Sequence, residues 1–185
     1  MRCSSGNMSQ RVDDKIMLVK ASRAWMCQAT ADDVAVCRIE DGSSLNGKRP
    51  SVEIGFHAGV LRARADVNVV LHFQTPAATT LACSRPPETF FVIPEIPYYI
   101  GRIGLVPYIT PGSAELATAV TQCLSSHNLA IMANHGQVTV GQTIEEAIQR
   151  AVFFELACDI ILRAGNQVAP LSESAAIALM NSGGV

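Results

Sequence analysis

Charge is scarce in this chain and has almost no net sign. Across 185 residues, 14 Lys and Arg face 16 Asp and Glu, leaving −2 and a pI near 6.1. That balance offers no basic footprint for a nucleic-acid backbone, so no nucleic-acid partner is expected. Long apolar runs are missing too: no stretch approaches the roughly 20 residues that cross a bilayer, and no membrane partner is expected. The opening MRCSSGNMSQR lacks the apolar core of a secretion signal. The six cysteines (Cys3, Cys27, Cys37, Cys83, Cys123, Cys158) contain no C-x-x-C pair. This argues against a zinc–thiolate site and reads as reduced, mostly buried thiols of a cytoplasmic protein. What is plentiful is apolar bulk, 49% of residues, enough for one domain over 1–185 with a sizeable core.

Along the chain, MSQRV and KIMLV flank Asp13-Asp14 and predict a hairpin, and VAVCRI at 34–39 predicts a third strand before a turn-rich loop at 41–50. Ser51 is expected to cap a helix with Phe56, Val60 and Leu61 on its apolar side. VNVVLHF follows as a buried strand, then a helix from the N-cap Thr75 and the N1 residue Pro76 through Cys83. Residues 84–112 hold most of the nine prolines and read as irregular loop with short strands. Ser113 caps a helix bearing Leu116, Val120, Cys123 and Leu124. LAIMA and QVTV are strands joined at the tight corner Asn134-His135-Gly136. Thr143-Ile-Glu-Glu146 is a capping box opening a long helix that ends near Gly165. Strands arranged as hairpins and between helices predict an α/β layered fold with a central, largely antiparallel sheet flanked by helices.

Four histidines carry the candidate chemistry. His127 sits at a helix end, where a cation favours the terminus. His57 lies four residues after Glu53 on the same helical face. His72 and His135 each stand where an apolar strand ends, a position from which side chains converge on a cleft. From position alone, two hydrogen-bonded histidines near the core is the plainer account. His72 is followed two positions later by Gln74, which shares its face of the strand.

The segment PSVEIGFHAGVLRARADVNVVLHFQTPAATTLA resembles the class II aldolase/adducin family, particularly its fuculose-phosphate aldolase branch. The resemblance recurs in SSGNMSQR, VPYITPGSAELA and MANHGQVTVGQTIEEAIQRAVFFELAC, and reaches about residue 165. It implies the class II aldolase-like fold, with Glu53 as catalytic carboxylate and His72, Gln74 and His135 at the zinc-ligand positions. Three such ligands leave coordination sites for two substrate oxygens. The metal then stabilises charge that develops as a carbon–carbon bond breaks, and the carboxylate moves a proton. Gln74 stands where the family has a third histidine. An amide oxygen is a poorer donor to zinc than imidazole, so the implied site is altered, and more open to Mn2+ or Co2+ beside Zn2+.

The resemblance also places a phosphate pocket on Gly6-Asn7, on Lys20-Ala21-Ser22-Arg23, where Ser22 supplies a hydroxyl, and on Ser51. Val52 replaces a serine there. The family's proton-donating tyrosine, contributed by a neighbouring subunit, falls on Ile93, with Tyr98 and Tyr99 nearby. The chain starts close to the Gly-Asn loop, without the helix the family usually has first. The implied protein is a metal-dependent lyase of a small sugar or sugar phosphate acting by retro-aldol cleavage, in a homo-oligomer of four chains. An epimerase or dehydratase on the same fold, and a non-catalytic adducin-like scaffold, are the competing readings.

Overall fold

The computed structural model describes residues 5–183; Cys3 lies outside them. The predicted hairpin is β1 (Asn7–Arg11) and β2 (Ile16–Lys20), paired antiparallel with Ser9 opposite Val19. Asp13 makes the turn: its Oδ1 accepts from the backbone of Lys15 and Ile16, each at 2.8 Å. β3 (Val34–Arg38) pairs with β2, and β4 (Val69–Phe73) with β1. β5 (Gly104–Val106), β6 (Leu129–Met132) and β7 (Gly136–Gly141) complete a seven-stranded sheet in the order β3-β2-β1-β4-β7-β6-β5. Every pairing is antiparallel except β5 with β6.

Alternation along the strands divides the core. Val69, Leu71, Phe73, Leu129 and Ile131 face one helical layer, α2 (Pro76–Ala82) and α4 (Ile144–Ala164). Val70, Ala130, Met132, Val138 and Val140 face the other, α1 (Ile54–Ala63) and α3 (Ala114–Leu124). Covered on both sides, β4 is buried at all five positions. Asn7, Ser9 and His72 share the α1 face of the sheet, and this parity positions the site.

Helix ends bear several corrections. Ser51 does not cap α1: Glu53 is the N-cap residue, and Ser51 Oγ instead accepts from the Glu53 backbone N–H at 3.3 Å. The chain makes one more turn before the helix begins, since Ile54 N–H bonds back to the Ser51 carbonyl. Thr75 precedes α2 as expected, but its hydroxyl donates to Glu155 Oε2 at 2.6 Å rather than capping. The Glu155 carboxylate of α4 accepts from Ala77 and Ala78 N–H and serves as the cap. Thr143 accepts from Glu146 N–H, yet Glu146 reaches back to Gln142 N–H, one residue before the expected partner.

The proline-rich stretch holds one π-helical turn (Ile96–Ile100) and the short β5. A further helix, α5 (Glu173–Gly183), packs on that turn and buries Ala176; it had no counterpart in the sequence reading. Cys37 and Cys158 are buried, but Cys27 and Cys83 are exposed, so the expectation of mostly buried thiols holds for only part of the set. Cys27 lies in a short 3-10 turn and Cys83 at the end of α2, where neither layer covers them. No helix among the described residues is long and apolar enough to cross a membrane.

Candidate active site

Three segments distant in sequence meet on the α1 face of the sheet. Glu53 stands at the N-terminus of α1, His72 near the end of β4, and His135 in the corner between β6 and β7. The corner is tight because Asn134 adopts a left-handed conformation (φ 56°) and His135 N–H returns to the Met132 carbonyl at 3.1 Å. Glycine is required just after it. A Cβ on Gly136 would stand 2.9 Å from Gln74 Cγ and from the Phe73 carbonyl oxygen, and 3.0 Å from His72 Cε1.

The side chains converge closely. Glu53 Oε1 is 3.2 Å from His135 Nε2, and Oε2 is 3.6 Å from His72 Nε2. The two rings stand 5.0 Å apart at 70°, and one ligand atom from each of the three residues lies within 4.8 Å of the others. His72 Nδ1 donates to the Gln137 carbonyl at 2.9 Å, which fixes the tautomer and turns the Nε2 lone pair toward Glu53. Burial pushes the His72 pKa down, favouring the neutral ring that a cation needs. Burial pushes the Glu53 carboxyl up, but His135, His72 and Asn7 together outweigh it and hold the group at about 2.

One atom is left over: Glu53 Oε1 is buried and accepts no hydrogen bond among the described residues, because His135 Nε2 is near it without aligned donor geometry. A buried carboxylate flanked by two imidazole nitrogens, with one of its oxygens lacking a donor, is a donor set that fits a divalent cation.

Gln74 lines the same space. Its Nε2 donates to the His135 carbonyl at 2.8 Å, leaving the amide oxygen uncommitted among the described residues. The eight catalytic, metal and substrate positions implied by the resemblance, Gly6, Asn7, Ser22, Ser51, Glu53, His72, Gln74 and His135, line one cavity of about 320 Å³. Ser5, Lys20, Arg23, Val52 and Pro111 complete the wall. Gly6 enters β1 at φ 76°, and Arg23 holds a left-handed φ of 66°, a conformation that costs a non-glycine residue about 1 kcal/mol or more. Asn7 is buried, its amide donating to Glu53 Oε2 at 2.8 Å. Lys20 sends Nζ to the Ala24 carbonyl, and burial lowers its pKa while Glu53 raises it. Tyr98 and Tyr99 are half-exposed on the π-helical turn and do not line this cavity; Tyr99 stacks on Phe153 of α4.

Sequence reasoning missed two contributors. Ser9 and the Gln137 carbonyl make direct hydrogen bonds to His57 and His72. Ser9 could have been found by its parity with Asn7 on β1, whereas a backbone carbonyl leaves no mark in the sequence.

The fold and this constellation define an enzyme built to gather two imidazoles and a carboxylate at the end of the central strands of a helix-covered sheet. The Class II Aldolase and Adducin N-terminal domain matches residues 1–162, and the chain belongs to that family. Its relatives are enzymes, and so is this chain. A 3-oxo-tetronate 4-phosphate decarboxylase of Escherichia coli is 29% identical over 169 residues, 89% of this chain and 79% of its own length. A 5-methylthioribulose-1-phosphate/5-deoxyribulose-1-phosphate aldolase of Rhodospirillum rubrum is 30% identical over 157 residues, 82% of this chain and 68% of that protein. Among solved structures, an L-fuculose 1-phosphate aldolase superposes with a TM-score of 0.90 at 23% identity, covering 100% of this chain and 88% of the other, which establishes the class II aldolase fold.

Proposed function

We propose that this enzyme is a divalent-metal-dependent carbon–carbon lyase acting on a small sugar phosphate. The observation that carries the reading is the buried Glu53 carboxylate, its donor-free Oε1 facing His135 Nε2 and its Oε2 facing His72 Nε2. With Gln74 beside them, these residues would hold the cation as an N2O2 set. When bound, it supplies Lewis-acid stabilisation of the charge that develops on substrate oxygen as the bond breaks.

The remaining chemistry belongs to the chain. Asn7 fixes one oxygen of Glu53, so the other is the one that moves a proton to or from the reacting carbon or hydroxyl. Ser22 and Ser51 supply hydroxyls, and Lys20 and Arg23 positive charge, at the end of the cavity where the phosphate is read. Burial of Glu53 and His72, with His135 only slightly exposed, keeps water from competing for the proton.

Named relatives include both decarboxylases and aldolases. In each reaction a carbon–carbon bond breaks beside a carbonyl and the electron pair left on carbon takes a proton. They differ in the fragment that leaves, carbon dioxide or an aldehyde. A single screen separates them: the protein loaded with Zn2+, Mn2+ or Co2+ is given 3-oxo-tetronate 4-phosphate, 5-deoxyribulose 1-phosphate and fuculose 1-phosphate. Carbon dioxide and aldehyde are then measured. Turnover of one class names the reaction, and turnover of none by a metal-loaded protein rejects the reading.

The reading includes an assembly of copies, four by resemblance. An exposed apolar stripe on α4, Ile148, Val152 and Leu156, is in keeping with such contacts, and light scattering after size exclusion measures the number.

A further inference from the structure

A line of hydrogen bonds runs from the sheet to the reactive carboxylate. Ser9 Oγ lies 2.7 Å from His57 Nδ1, His57 Nε2 lies 2.5 Å from Asn7 Oδ1, and Asn7 Nδ2 lies 2.8 Å from Glu53 Oε2. All four side chains are buried, and His57 is fully so, its ring stacked on Phe56 at 4.7 Å. The far end fixes the direction of every link. An ionised carboxylate only accepts, so Asn7 must present its amide nitrogen to Glu53 and its oxygen to His57. His57 must then carry its hydrogen on Nε2. Burial pushes that ring's pKa down to about 3, so it is neutral, Nδ1 is an acceptor, and the Ser9 hydroxyl donates to it. Turning the Asn7 amide over would set oxygen against carboxylate at one end and N–H against N–H at the other.

We propose that His57 is a positioning residue for Glu53: by donating from Nε2 it locks the Asn7 amide, which pins Oε2 and leaves Oε1 as the working oxygen. The inference rests on the role given to Glu53 above. It accounts for a feature that packing alone does not require. A fully buried position on α1, already beside Phe56, is filled by a polar ring with both nitrogens engaged rather than by an aliphatic side chain.

The two amide substitutions separate positioning from mere packing. In His57→Gln the amide nitrogen reaches the place of imidazole Nε2 and still donates to Asn7. In His57→Asn the amide reaches only the place of Nδ1, so Ser9 is served and Asn7 is released. With the metal-loaded full chain, His57→Asn is expected to lower kcat about tenfold or more while KM and the Co2+ dissociation constant stay within about threefold. His57→Gln is expected to keep kcat within about threefold of the parent. Equal kcat losses in the two variants would overturn the proposal.

A second measurement needs neither variant nor substrate. Side-chain 15N–1H NMR of the parent protein at neutral pH is expected to show His57 as the neutral Nε2–H tautomer. An Nδ1–H or doubly protonated ring would overturn it. An inactive parent protein that still shows the Nε2–H tautomer would count against the lyase reading and leave the hydrogen-bonded chain standing.

Discussion

Glu53 holds its charge in a place where burial alone would neutralise it, because two imidazoles and an amide face its two oxygens. Replacing it with glutamine keeps shape and hydrogen-bonding reach but removes the proposed base. Glu53→Gln is expected to lower turnover by about 100-fold or more with the fold intact, measured by steady-state kinetics beside circular dichroism. The same neighbourhood makes stability depend on pH. His57 ordinarily titrates near 6.5 and here at about 3, so between those values the unfolded chain binds a proton that the folded chain refuses. Stability therefore falls as pH drops below about 6.5, by at most about 1.4 kcal/mol per pH unit for this ring, with His72 adding in the same direction. Below the ordinary 4.5 of a glutamate, Glu53 joins with the same sign, since the unfolded chain protonates it first. Urea midpoints of the metal-free protein, followed from pH 7 downward, are expected to decline already above pH 5, and His57→Gln to flatten that upper part of the curve.

Secondary elements depend on one another in ways that a local window does not contain. The first turn of α2 is capped by Glu155, which lies 77 and 78 residues from the two N–H groups it accepts. Glu155→Ala would leave those donors and the Thr75 hydroxyl without a partner. It is expected to cost about 1–2 kcal/mol in urea unfolding, because a charged cap is lost from a partly buried site. Contacts of this reach divide what the sequence discloses from what it conceals. The β1–β2 hairpin, α3 and α4 were legible because Asp13, Ser113 and Thr143 act within three residues of the groups they bind. The Glu155 cap, the parallel β5–β6 pair and α5 were not, since each depends on segments that meet only after folding. The site divides likewise. His72 and His135 stood out at strand ends and Glu53 through the family resemblance, whereas the Ser9–His57–Asn7 links join residues 48 and 50 positions apart. The corner between β6 and β7 carries its own prediction. A methyl group at Gly136 would crowd Gln74, Phe73 and His72 together, so Gly136→Ala is expected to weaken metal binding about tenfold or more, as read by Co2+ titration.

For the molecule as a whole, a cation held by Glu53, His72 and His135 would tie the start of α1, the end of β4 and the β6–β7 corner to a single point. An unfolded chain cannot bring these residues together, so a bound cation stabilises only the native state. At a hundredfold excess over its dissociation constant that amounts to about 2.7 kcal/mol. In a chain of this size it is a rise in melting temperature of about 5–10 °C. Stripping the protein with a chelator is expected to lower Tm by that amount, and Zn2+, Mn2+ or Co2+ to restore it, while His72→Ala responds to none of them. On the proposed reading Gln74 sets how the three ions rank. Its amide nitrogen is tied to the His135 carbonyl, so the donor it can offer is a hard oxygen, where a third imidazole would favour zinc. The parent protein should therefore gain nearly as much from Mn2+ or Co2+ as from Zn2+, whereas Gln74→His should gain most from Zn2+. Identical rankings in the two proteins would show that Gln74 does not touch the ion, and no response to any ion would remove the cation from the site altogether.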